Sequence, residues 1–244
     1  MVTSLVPILL LGFFLGMRHA TDADHVLAVT TIVSRERSLR GASWIGVLWG
    51  IGHTLTIMVV GGAIIFFGVV IPPRLGLTME LSVAVMLVLL GVFSLRGFLR
   101  STPRPAAEGT EREPHGHDRD LGVLDRVLGR LGFYQSLRPL LVGVVHGLAG
   151  SAAVALMVLA TVQNPARALA YLLLFGVGTV AGMALITAGL ALPFAFTQAR
   201  SARLHRSIGI LAGLSSVAFG IFLVYDIGIV AGLFTHHAPQ WTPE

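Results

Sequence analysis

The chain alternates between long apolar runs and short polar breaks. Apolar residues dominate Leu5 to Val33, Trp44 to Val70, Met79 to Leu99, Pro139 to Val162, Ala168 to Phe196 and Ile208 to Leu233. Each run is long enough for a helix to cross the roughly 30 Å hydrocarbon core of a bilayer, and none has the short alternating pattern of a membrane β-strand. The pattern predicts an all-α integral membrane protein with six transmembrane helices. The first run is long for one span, so it should tilt or break. Between the third and fourth runs lies one long polar segment, residues 100–138. It opens as a Pro/Ala/Gly linker, carries His115-Gly116-His117-Asp118, and has apolar residues at 121, 124, 128 and 131, the spacing of an amphipathic surface helix. The implied organisation is a first unit over 1–99, a cytoplasmic linker over 100–138, a second unit over 139–234 and a tail over 235–244 containing His236 and His237.

Composition narrows this reading. Of the 244 residues 55% are hydrophobic and 12% charged, where soluble domains carry about 25% charge. There is no cysteine, which excludes disulfides, thiol redox chemistry and thiolate metal sites. The basic excess is entirely arginine, and no aromatic-basic motif accompanies it, so no nucleic-acid partner is expected. Fourteen of the 17 basic residues lie in or beside the first, third and fifth loops. Arginine-rich loops stay on the cytoplasmic side, which places both termini outside.

The two halves are similar. Gly16 and His19 align with Gly143 and His146 at an offset of 127, Gly50 and Gly52 with Gly176 and Gly178 at 126, and Gly91 with Gly220 at 129. An odd number of spans per copy inverts the second copy, so the pattern predicts two inverted-topology three-helix repeats with a substrate site near the midplane at their interface.

The chemistry is concentrated in Arg18-His19-Ala20-Thr21-Asp22-Ala23-Asp24-His25, set inside the first apolar run. Ionisable groups at membrane depth are costly and mark function. On a regular helix His19, Asp22 and His25 fall within about 120° of one another, with Asp24 on roughly the opposite side. His19 and His25 are then about 9 Å apart along the axis, too far to bind one ion. Either the helix opens at the motif or only some of these groups touch metal. His53, in Gly52-His53-Thr54, and His146 are the candidates from other helices. Imidazole with carboxylate suits nickel, cobalt, copper or zinc rather than magnesium or calcium, and the carboxylates can instead orient histidines through their second N–H. Arg18 and Asp22 are spaced to neutralise each other. The candidate metal residues are therefore His19, Asp22, Asp24, His25, His53 and His146. No His-Glu-x-x-His pattern or nucleophile motif is present, so an enzyme is not expected.

These residues resemble the nickel/cobalt transporter superfamily. His19-x4-Asp24-His25 looks like that family's His-x4-Asp-His signature, and Gly52-His53-Thr54 is similar to its Gly-His-Ser/Thr motif. Its later Asp-Thr-Ala-Thr-Glu motif is absent, His146-Gly-Leu-Ala-Gly-Ser151 stands in the corresponding helix, and six spans replace eight. That pattern is more similar to the six-helix, UreH-like branch. The resemblance implies a permease of the bacterial cytoplasmic membrane that takes up Ni²⁺ or Co²⁺ as transported substrate, without a cofactor. His19, Asp24 and His25 would be the metal-recognition residues, with Asp22 and His53 in support. Efflux on the same scaffold is the alternative, as is a non-transporting partner of urease or hydrogenase maturation proteins.

Overall fold

The computed structural model describes residues 5–34, 36, 38–69, 71–100, 134–147, 162, 164–235 and 241. The linker cluster at His115–Asp118, the amphipathic stretch after it, the second half of the fourth run, and His236 and His237 lie outside the described residues. Within them every regular element is a helix: α1 (Leu5–His19), α2 (Ala23–Val33), α3 (Leu39–Phe67), α4 (Pro73–Arg100), α5 (Tyr134–His146), α6 (Pro165–Arg200) and α7 (Ala202–Tyr225), which runs on into a π-helical turn, Asp226–Val230.

Local chemistry sets the ends. Ser38 caps α3 by accepting from the Gly41 N–H at 2.9 Å, and Gly68 closes it with φ 61°, the left-handed conformation that glycine adopts without Cβ strain. Asn164 accepts from the Ala166 and Arg167 N–H groups, with Pro165 at the first helical position of α6. Ser201 ends α6 and caps α7. These caps correct the predicted boundaries. The third helix starts at Pro73 rather than Met79, because proline is tolerated in a first turn. Arg40 belongs to the first turn of α3 and not to a loop.

Four helical stretches are long and apolar enough to cross a membrane: Leu39–Phe67, Pro73–Arg100, Pro165–Gln198 and Ala202–Val230. Three shorter apolar helices accompany them, Val6–His19, Ala23–Val33 and Leu137–His146. The outward faces are apolar too, with Val59, Phe66, Leu185 and Leu211 exposed, as a lipid-facing surface requires. The protein is a multi-pass membrane protein.

The predicted first helix is two helices. α1 and α2 together fill the expected run, but it breaks at residues 20–22. α3 and α6 form an antiparallel central pair: a Cβ on Gly46 would meet the Met183 carbonyl, Thr54 Oγ1 donates to the Gly176 carbonyl at 3.2 Å, and Gly61 faces Leu172. α1 packs on α6, α5 on α3, and α4 on α7, while α2 touches α4, α6 and α7. Glycine sits where these backbones touch. A side chain on Gly16 would strike the Phe175 carbonyl, and one on Gly178 the Phe13 carbonyl. At the other crossing Gly143 meets the Trp49 carbonyl and Gly52 the Leu140 carbonyl. In the α4–α7 pair Gly91 faces the Gly213 carbonyl and Gly220 the Ala84 carbonyl.

Candidate metal centre

The centre is built at the helix break. α1 ends on His19, and its last carbonyls are met locally: the Thr21 N–H and Oγ1 donate to the Arg18 carbonyl at 2.8 and 2.6 Å, and the Asp22 N–H donates to the His19 carbonyl at 3.1 Å. Asp22 is extended (φ −61°, ψ 147°) and α2 restarts at Ala23. Two carboxylates, Asp22 and Asp24, thus sit at the start of α2, where the helix dipole favours negative charge. The break removes the geometric obstacle of a continuous helix. The His19 and His25 rings lie 4.6 Å apart, edge to face.

The six predicted residues come together. His19 Nδ1 is 2.8 Å from Asp22 Oδ2, and His19 Nε2 is 2.8 Å from His53 Nε2. Asp24 does not point away from the group, as a regular helix would have it. Its Oδ1 faces His25 Nδ1 at 3.0 Å and its Oδ2 faces His146 Nε2 at 2.9 Å, because the restart of α2 re-aims it. Asp22 pairs with His19, and no Arg18–Asp22 ion pair is found among the described residues.

With neutral imidazoles, these contacts set the tautomers. A carboxylate only accepts, so the imidazole nitrogen facing it carries the hydrogen and the other carries a lone pair. His25 then presents a lone pair on Nε2 and His146 on Nδ1. His19 keeps Nδ1–H for Asp22, so its Nε2 accepts from His53 Nε2–H, leaving the His53 Nδ1 lone pair. His25 Nε2, His53 Nδ1 and His146 Nδ1 are buried without a hydrogen-bond partner among the described residues. Unpaired buried acceptors are expensive, and three belong to this one cluster of rings. His25, His53 and His146 are fully buried and His19 is 5% exposed. Donor atoms of His19, His25 and His53 lie within 4.8 Å of one another, as do those of Asp24, His25 and His146. His25 belongs to both groups. Such sets are chemically suited to a borderline divalent ion.

Two neighbours of the cluster went unnoticed as functional in the sequence. The Trp49 ring lies 5.5 Å from His146 and 6.4 Å from His25, and Phe175 lies 5.6 Å from His19. Trp49 stands four residues before His53, one turn away, which is the signal that could have found it. His205 packs separately between Phe98 and Phe194.

The family model NicO, described as high-affinity nickel-transport protein, matches residues 5–242. The chain belongs to the NicO family. As a NicO protein it is a transport protein and not an enzyme, and its field is nickel. Among its relatives is the urease accessory protein UreH of Bacillus sp. (strain TB-90), 36% identical over 230 residues, covering 94% of this chain and 96% of the relative. No solved structure matches. The NicO match spans both halves, so His19, His53 and His146 all fall within it.

Proposed function

We propose that this NicO protein is a permease that carries Ni²⁺, or Co²⁺ of similar chemistry, into the cell through a midplane centre of His19, Asp22, Asp24, His25, His53 and His146. The observation that carries this reading is the meeting of four buried imidazoles and a shared carboxylate at a broken helix. Irregular backbone at membrane depth is tolerated where it is enclosed by protein, and discontinuous helices frame the ion sites of many secondary transporters. Asp22 and Asp24 orient histidines by taking their second N–H, and the imidazole nitrogens left with lone pairs receive the ion.

The scaffold is six spans in two inverted repeats, 1–99 and 139–234, joined by 100–138. The glycine contacts support this. Gly16 on Phe175 and Gly143 on Trp49 are the same contact shifted by 127 and 126 residues with the halves exchanged. Gly91 on Gly213 and Gly220 on Ala84 repeat it at 129. α1 and α5 also end on the equivalent His19 and His146. The arginine-rich loops face the cytoplasm of a bacterial cell and the termini face outward.

The test is ⁶³Ni accumulation in cells expressing His19→Ala, Asp24→Ala or His25→Ala. Accumulation should fall to background, and unchanged uptake in all three would sink the assignment. An exporter would instead make its deletion strain hypersensitive to nickel. The name of the relative, a urease accessory protein, favours a second reading, metal delivery to urease assembly without transport. Nickel uptake by liposomes holding the purified protein alone would reject it.

A further inference from the structure

Beyond the ligands, two aromatic residues bracket the cluster. Trp49, on α3, is fully buried, and its indole sits 5.5 Å from the His146 ring and is stacked on His25 at 6.4 Å. Phe175, on α6, is 2% exposed and sits 5.6 Å from the His19 ring. They are 126 residues apart, the offset that relates Gly50 to Gly176 and Gly52 to Gly178. Their neighbours match as well. Each lends its backbone carbonyl to a glycine of the crossing helix, Trp49 to Gly143 and Phe175 to Gly16, and each covers the histidine three residues beyond that glycine.

The two rings lie on opposite sides of the centre. α3 and α6 run antiparallel, with Gly46 beside Met183, Thr54 beside Gly176 and Gly61 beside Leu172. Phe175 therefore stands level with the part of α3 between Thr54 and Gly61. Trp49 stands about 6 Å before His53 on the other side, at 1.5 Å per residue. Trp49 lies toward the side on which α3 begins and α6 ends, and Phe175 toward the side on which α3 ends and α6 begins. The Trp49 Nε1 is buried with no hydrogen-bond partner among the described residues.

We infer that Trp49 and Phe175 are the paired gates of the metal path, one for each face of the membrane, and that alternating access consists of moving one while the other stays shut. The inference rests on the transport reading above, but its test needs no metal. The chain has no cysteine, so His53→Cys places a single thiol between the two rings. Its rate of modification by a charged, membrane-impermeant methanethiosulfonate reagent is measured in right-side-out and inverted vesicles. The Trp49→Ala and Phe175→Ala backgrounds are read together with the milder Trp49→Leu and Phe175→Leu. His53→Cys alone should react slowly from both faces. Removing the Trp49 ring should raise the rate at least tenfold from one face only, and removing the Phe175 ring should do so from the opposite face. Acceleration from the same face in both backgrounds overturns the proposal, as does none in any variant that elutes as a folded species. The arginine distribution assigns the Trp49 side to the cytoplasm; an exchange of the two faces leaves the paired gating intact. Opposite-sided labelling together with nickel uptake that survives loss of His19 would instead reject the assigned cargo site and keep the gates.

Discussion

At the scale of the residue, the two aspartates do unequal work. Asp24 holds two imidazoles at once, His25 at 3.0 Å and His146 at 2.9 Å, while Asp22 holds only His19, at 2.8 Å, with a side chain 39% exposed. Loss of such an orienting partner costs about 10- to 100-fold in metal affinity. Asp24→Asn puts an NH₂ where one imidazole N–H must donate, so it reverses one tautomer or breaks one contact. Nickel affinity by titration calorimetry should fall toward the upper end, about 100-fold, against about 10-fold for Asp22→Asn. Equal losses would contradict the bridging role. The residue types here were legible in the sequence, since charges inside an apolar run stand out. The division of labour between Asp22 and Asp24 was not, because a continuous helix turns Asp24 away and only the break at residues 20–22 turns it back.

At the scale of the element, the helices were readable from hydropathy but their breaks and contacts were not. Nothing in Leu5 to Val33 punctuates the chain with proline at the motif. At the break the α1 carbonyls are met locally by Thr21 and Asp22, a contact that hydrophobic periodicity does not record. Glycines were visible as repeats, yet the sequence does not separate those in contact from those facing lipid. The structure does, and the difference is measurable. Gly16→Ala and Gly143→Ala each drive a methyl into a backbone carbonyl of a neighbouring helix, and forced overpacking costs about 1–3 kcal/mol. Among the described residues, nothing lies within 4 Å of a Cβ at Gly62 or Gly189, and alanine in a helix interior is favoured over glycine by about 0.5–1 kcal/mol. Thermal unfolding of the detergent-solubilised protein should give lowered midpoints for the first pair and unchanged or raised ones for the second. If Gly16→Ala and Gly143→Ala shift the midpoint by similar amounts, the two crossings are energetically equivalent, as an inverted pair requires. A neutral effect at both would mean that the helices do not cross this closely.

At the scale of the whole molecule, the question is what moves a doubly charged ion. The chain has no lysine and hence no Gly-x4-Gly-Lys phosphate loop. The membrane potential is one source of driving force. Moving one charge through 100 mV is worth about 2.3 kcal/mol, so a divalent ion entering a negative interior gains about 4.6 kcal/mol. At about 1.4 kcal/mol per factor of ten, that is a little over three powers of ten in the concentration ratio. The proposed centre suits this source. As proposed, it would offer the ion imidazoles and carboxylates in place of water, with an aromatic ring on either side as the two gates. Proteoliposomes carrying a valinomycin-set potential of about −100 mV inside should accumulate ⁶³Ni above equilibrium, whereas vesicles clamped at zero potential should only equilibrate. His25→Ala, which removes the imidazole common to both donor groups, should abolish uptake at either potential. Accumulation that ignores the potential would show that a second ion carries the charge back in the same cycle, and would replace uniport with exchange.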